Sequence, residues 1–342
     1  MGKTNRRSPI CFRPVGTGST RPARGAPTVS ICVPTFNSEA TIAETLRSAL
    51  AQTYADFELL VVDDGSSDAT VELSRLARDD RLRVVACTTN LGQAGNTNRC
   101  LGLARGRLVK FLHSDDLLLP ECLERMVPLF ERHAAVGLAF APRRVEGASD
   151  EWRALYGETH AGFDDLREVN AGDRLLGQWV RAGLPHNWVG EPTSVMMRRA
   201  CFERLGGLNP HLRQDVDMEL WLRTLAFFDV GFVDAPLSVY RREGGGDSVT
   251  ATNQSGGRAW LDRLWMLEGL RAHDEIWRRY PALQALRRER QSAALKVAAR
   301  SSGRRRARFG DLAVYAAYVA RRRVGRAPSL HGRIGPPPTG AP

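Results

Sequence analysis

The sequence predicts an α/β fold built on a mostly parallel sheet with helices on both faces. From Thr28 onward, apolar β-branched runs alternate with single segments of helical spacing, the pattern of right-handed crossovers. The runs are apolar throughout instead of alternating with polar residues, which fits strands covered on both sides. With 342 residues, 43% of them hydrophobic, the chain can bury a sizeable core.

The first run, TVSICVP, predicts a strand. Asn37 or Ser38 is placed to cap a helix in which Ile42, Leu46, Ala49 and Leu50 recur at helical spacing. FELLVVDDGSSD predicts a second buried strand ending in acids, glycine and serines. Ser67 or Asp68 then caps a helix through Val71, Leu73, Leu76 and Ala77, and LRVVAC supplies a third strand. The loop TTNLGQAGN leads to a helix ending near Ala104, and Gly106 precedes the strand RLVKFL. After Pro120 come a helix (ECLERMVPLFERH) and the apolar run VGLAFAP, which continues the sheet. Residues 143–185 read as loops and short helices. Order returns over 186–233, through HNWVGEPTSVMMRR, the short helix CFERLGG and the helical DVDMELWLRTLAFF.

Charge divides the chain further. The net charge is +11, yet residues 1–27 hold six basic residues and no acid, and from Arg278 onward sixteen basic residues face only Glu289 and Asp311. The body between them is net acidic. These shifts predict four regions: a disordered basic tail at 1–27, an α/β domain at 28–254, a basic helical region at 255–325, and a disordered Pro/Gly tail at 326–342. The six cysteines (Cys11, Cys32, Cys87, Cys100, Cys122, Cys201) show no zinc spacing and read as reduced thiols. No run approaches the roughly 18 to 20 apolar residues of a membrane span, and the N-terminus lacks the apolar core of a signal peptide. The expected location is the cytoplasm.

Ligands of parallel α/β sheets bind outside the carboxyl ends of the strands. Three polar clusters fall at such ends: PTFNSE, DDGSSD and HSDD. Each has a plainer reading. Asp64 could start a turn, Asp115 and Asp116 could form an Asx turn before Pro120, and the acids of DVDMELWLR could favour a helix start. Adjacent carboxylates repel, however, so the pair also suits a place where a cation or hydroxyl is expected.

In their order and spacing, four motifs resemble family 2 glycosyltransferases of the GT-A fold. They are VSICVPTFNSEATIAETLRSALAQTY; FELLVVDDGSSDAT; NLGQAGNTNRCLGLARGRLVKFLHSDD; and GGLNPHLRQDVDMELWLR followed by LSVYRR, together covering about residues 28 to 243. The resemblance implies transfer of a sugar from a nucleotide-diphosphate donor to an acceptor hydroxyl with inversion. It implies that Pro34, Thr35 and Glu39 lie against the nucleotide and that Asp64 bonds the base or ribose. Asn98 and Asp116 complete the nucleotide-sugar contacts, Asp115 binds a divalent cation (Mg²⁺ or Mn²⁺), and Asp217 is the general base. His113 stands where the family commonly has an acid, as either a metal ligand or a strand-end residue bonded to backbone. Glu243 stands where a histidine is common, and Arg241 is either near the diphosphate or on the surface. Asp215 and Glu219 flank Asp217; the latter is preferred because it lies four residues before Trp221.

These residue types suit the chemistry. A departing diphosphate needs positive charge, which a hard cation on few carboxylates provides. An attacking hydroxyl needs a carboxylate to take its proton. The implied partners are a nucleotide-diphosphate sugar and a saccharide or lipid-linked acceptor. Other readings are a nucleotide-sugar-binding protein without turnover and a nucleotidyltransferase, although PTFNSE lacks the basic, Gly-rich signature that holds a triphosphate. Arg304 to Arg308 and Arg321 to Arg323 bracket FGDLAVYAAYVA. That segment reads either as an interfacial helix on the inner face of the cytoplasmic membrane or as a solvated helix end. No nucleic-acid motif accompanies the charge, so no nucleic-acid partner is expected.

Overall fold

The computed structural model describes residues 25–242, 259–300, 306–323 and 330–331. The strands are β1 (Val29–Thr35), β2 (Phe57–Asp63), β3 (Leu82–Ala86), β4 (Leu108–Phe111), β5 (Leu117–Leu118), β6 (Val136–Phe140), β7 (Arg143–Glu146), β8 (Val169–Asn170), β9 (Val195–Arg198), β10 (Asp229–Phe232) and β11 (Ser238–Arg241). Eight form the main sheet in the order β3-β2-β1-β4-β9-β6-β10-β8, and three form a small sheet ordered β5-β11-β7. Strands β3, β2, β1 and β4 run parallel, as do β6 and β10. VGLAFAP does join the sheet, but not beside β4: β9 lies between them, antiparallel to both.

The helices are α1 (Ile42–Leu50), α2 (Thr70–Leu76), α3 (Gly92–Leu103), α4 (Cys122–Arg132), α5 (Asp150–Tyr156), α6 (Gly172–Arg181), α7 (Arg199–Leu205) and α8 (Val216–Leu225). The C-terminal region adds α9 (Ala259–Arg271), α10 (Asp274–Arg279), α11 (Pro281–Arg300) and α12 (Arg306–Arg323). Successive strand residues point to opposite faces, and they fall into two separate cores. Cys32, Leu60 and Val62 pack with Trp221, Trp265 and the C-terminal helices, whereas Ile31, Leu59 and Val61 pack with α1 and α4. Both faces of the sheet are thus covered.

Several local expectations are corrected. Helix α1 begins after Thr41, not after Asn37 or Ser38; Asn37 instead accepts the Ser67 amide at 2.9 Å, tying the first two strand-end loops together. Asp68 accepts from Thr70, near the start of α2. The stretch 143–185 contains strands β7 and β8 as well as short helices. The aromatic side of α12 is turned inward, with Tyr315 and Tyr318 at 5.3 and 5.1 Å from the Trp265 ring. Those rings are therefore not offered to a lipid surface. In the stretch read as a Pro/Gly tail, Leu330 and His331 are buried, and His331 Nε2 lies 2.9 Å from Glu219 Oε1. Residues 1–24, Glu243, Arg304 and Arg305, and the rest of 326–342 lie outside the described residues. Among the described residues, no helix is long and apolar enough to cross a membrane.

Candidate active site

Strand β4 ends at Phe111, and the chain turns sharply as the Asp116 amide donates to His113 O. The turn is clamped from both sides. Thr41 and Thr45 hydroxyls donate to Ser114 O at 2.8 and 2.9 Å, while the His113 amide donates to Thr193 Oγ1 at 3.1 Å. Thr193 in turn donates to Asp116 Oδ2 at 2.6 Å, and the Arg241 backbone amide donates to Asp116 Oδ1 at 3.0 Å. The turn therefore brings ligand atoms of His113, Asp115 and Asp116 within 4.8 Å of one another. Burial, and then the neighbouring Asp115, pushes the Asp116 carboxyl well above its usual range. Arg241 Nε donates to Asp115 O and Nη1 to Glu44, but its buried Nη2 has no hydrogen-bond partner.

The first two strand-end loops lie alongside. In DDGSSD, Gly65 takes φ +87°, a left-handed turn suited to glycine, and Asp63 accepts from the Gly65 and Ser66 amides. Asp64 is turned the other way and is buried. It accepts from the Leu91 and Gly92 amides at 2.9 and 2.8 Å and pairs with Arg99 at 3.0 Å. Glu39 accepts the Ala69 amide at the start of α2. Half-buried Pro34 precedes Thr35, whose buried hydroxyl has no partner. Asn98 stands apart: its side chain both donates to and accepts from the Leu208 backbone, at 2.9 and 2.7 Å. Its amide binds α3 to the loop before α8.

The three acids of DVDMELWLR separate clearly. Asp215 (φ +51°) pairs with Arg263 at 2.8 Å. Glu219 is fully buried; burial alone would push its carboxyl up, but Arg223 and His331 outweigh this and hold it at about 2. Asp217 accepts from Asn187 Nδ2 at 2.9 Å and from the Met218 amide at 2.8 Å. Burial above all, with Asp215 and Glu191 adding like charge, pushes it up to about 7. That value suits a group that must both take and release a proton near neutrality. Asn187 is itself fixed by the turn at Gly190 (φ +106°), whose amide it accepts and whose carbonyl it donates to.

One loop reaches both centres: its Asn187 bonds Asp217 and its Thr193 bonds Asp116. Glu191, between them in the chain, pairs with Arg143, and its charge adds to the negative field at His113, Asp116, Asp217 and Tyr240. Nothing in HNWVGEPTSVMMRR singles out Asn187, Glu191 or Thr193; polar residues scattered over 187–194, ahead of the apolar strand β9, are the available signal.

The sheet, with a cluster of two carboxylates and an imidazole at its carboxyl end and a separate buried carboxylate, has the fold of the GT-A glycosyltransferases. The profile of glycosyl transferase family 2 matches residues 30–205, half of the chain, and the chain belongs to that family. An uncharacterized protein of Mycobacterium tuberculosis is 44% identical over 225 residues, 65% of this chain and 69% of that one. WfgD of Escherichia coli, a UDP-Glc:alpha-D-GlcNAc-diphosphoundecaprenol beta-1,3-glucosyltransferase, is 41% identical over 101 residues, 30% of this chain and 40% of its own length. TarS of S. aureus, solved in complex with UDP-GlcNAc, aligns over 71% of this chain and 66% of that chain with a TM-score of 0.56 and 18% identity, a likeness of the GT-A fold.

Proposed function

We propose that the chain is an inverting glycosyltransferase that moves a sugar from a nucleotide-diphosphate donor to a hydroxyl of a saccharide or lipid-linked saccharide in a single displacement. The observation that carries this reading is Asp217, pushed up to about 7 and held by the loop whose Thr193, six residues beyond Asn187, fixes Asp116 beside Asp115. The names of WfgD and TarS support a UDP-sugar donor, and that of WfgD supports a lipid-linked acceptor.

In this reading Pro34, Thr35 and Asp64 line the nucleotide side, with the unpartnered Thr35 hydroxyl open to a ligand oxygen. Two carboxylates and an imidazole within 4.8 Å fit a hard cation, and ionised Asp116 in its buried place calls for one. When bound there by Asp115, Asp116 and His113, Mg²⁺ or Mn²⁺ supplies Lewis-acid charge for the departing diphosphate. Arg241 Nη2 offers a further donor to a phosphate oxygen. Asp217 takes the acceptor proton while Asn187 steadies its charge, and attack opposite the leaving group inverts the anomeric centre.

The deciding test is transfer or hydrolysis of UDP-sugars with Mn²⁺ by wild type and Asp217→Asn. Turnover by wild type and its loss in the variant, with donor binding kept, is expected. Donor binding without turnover by wild type would make the chain a binding protein.

A further inference from the structure

Beside the site lies a run of partly exposed aromatic rings. Helix α5 buries none of its residues, yet it carries Trp152 and Tyr156 one turn apart with centroids 5.4 Å from each other. Tyr156 is 38% exposed and its neighbour Leu155 67%. A helix of two turns with no buried face does not stand on propensity alone. Ser149 caps it, Trp152 stacks on Tyr240 of β11 at 5.8 Å and 22°, and Arg143 donates to the carbonyl oxygens of Tyr156 and Gly157.

Two of these anchors, Tyr240 and Arg143, also reach the site. Tyr240 precedes Arg241, whose amide meets Asp116, and Arg143 pairs with Glu191. At the other end Tyr156 meets the His186 ring edge-on at 5.7 Å and 87°, and His186 precedes Asn187, which holds Asp217. The rings therefore run from the carboxylate cluster to the base.

We propose that Trp152 and Tyr156, with His186 behind them, form the acceptor subsite, a face on which a pyranose ring of the acceptor saccharide stacks with its hydroxyl toward Asp217. The inference rests on the transfer reading above and names where its second substrate sits. A sugar ring has an apolar C–H face and a polar edge. The first matches the electron-rich face of an aromatic ring, such as that of exposed Tyr156, and the second matches the charge that Arg242, 4.9 Å over the Trp152 ring, brings beside it. Tyr156 leads through His186 to Asn187 and so to Asp217, which assigns the rings to the acceptor. Two rings and one leucine are far too small for a stable protein interface, which needs about 800 Å² per partner.

Saturation-transfer NMR on the full chain tests this, using methyl glucoside, galactoside, mannoside and rhamnoside as probes with the aromatic protons irradiated. At least one glycoside should be saturated on wild type. Its apparent affinity should fall by between about twofold and tenfold in Trp152→Ala and again in Tyr156→Ala, and return in Trp152→Phe and Tyr156→Phe. Trp152→Ala also removes the stack on Tyr240 that anchors α5 and should lower the thermal midpoint, whereas exposed Tyr156→Ala should keep it, and UDP binding of both variants should match wild type. No saturation of any probe on wild type, or undiminished saturation in the alanine variants, overturns the subsite and leaves the donor test untouched. Saturation that depends on the rings in a protein that turns over no donor sinks the transfer reading and keeps the saccharide face.

Discussion

Asn187 Nδ2 donates to Asp217 Oδ2 at 2.9 Å, and the same asparagine closes the turn at Gly190. The bond favours the ionised carboxylate, which burial otherwise opposes. With Asp217 at about 7, kcat/KM should fall roughly tenfold per pH unit below that value, as the base becomes protonated. In Asn187→Ala the charged form loses a donor, so the acid limb should move to higher pH. An unchanged limb in a pH–rate profile would show that another group sets it. Asp217→Asn should cost about 10²- to 10⁴-fold in kcat at every pH.

Thr193 couples two parts of the cluster, accepting the His113 amide and donating to buried Asp116. Thr193→Val keeps the shape and removes both bonds. Each group left unsatisfied costs about 1–3 kcal/mol, so thermal unfolding should show a clear loss. Thr193→Ser, which restores the hydroxyl, should recover most of it.

Asp115 is exposed, whereas Asp116 already holds two protein donors. Asp115→Ala should therefore reduce the Mn²⁺-dependent part of UDP binding with little effect on folding, while His113→Ala should reduce it less. Titration calorimetry with Mn²⁺ and with chelator separates the two. Equal binding in both conditions by wild type would remove the cation from the account.

Glu219 and Arg223 are fully buried partners at 2.8 Å. Arg223→Ala leaves the buried carboxylate with His331 as its remaining charged partner and should cost about 3–5 kcal/mol. The Glu219 carboxyl is held below its ordinary 4.5, at about 2. Its stabilising effect is thus complete above pH 4.5 and disappears as pH falls toward 2. Denaturant unfolding of wild type and Glu219→Gln should converge over that window, and parallel curves would contradict the assignment.

The parallel half of the sheet was legible because β1, β2 and β4 are short apolar runs followed by turn-forming polar residues. Asp115, Asp116 and Asp217 were legible as residue types at strand and helix ends. The bonds of the Asn98 amide were not, because their partner, Leu208, lies 110 residues later. Asn187, Glu191 and Thr193 escaped notice for the same reason. Nothing local says that β9 will return antiparallel between β4 and β6 and carry their loop to the cluster. The cap at Asn37 failed because that side chain is taken by Ser67, a partner in another loop.

The reversed β9 has a consequence for the order in which the protein can be made. Pairing of β1 with β2 and β4 needs only the first hundred or so residues to have left the ribosome. Thr193, which fixes Asp116, arrives more than seventy residues later, and long-range pairing of this kind is slow to close. An emerging chain therefore holds its donor-side loops in place well before its carboxylate turn is secured, and the enzyme becomes competent only once its antiparallel strand has been threaded into the middle of the sheet.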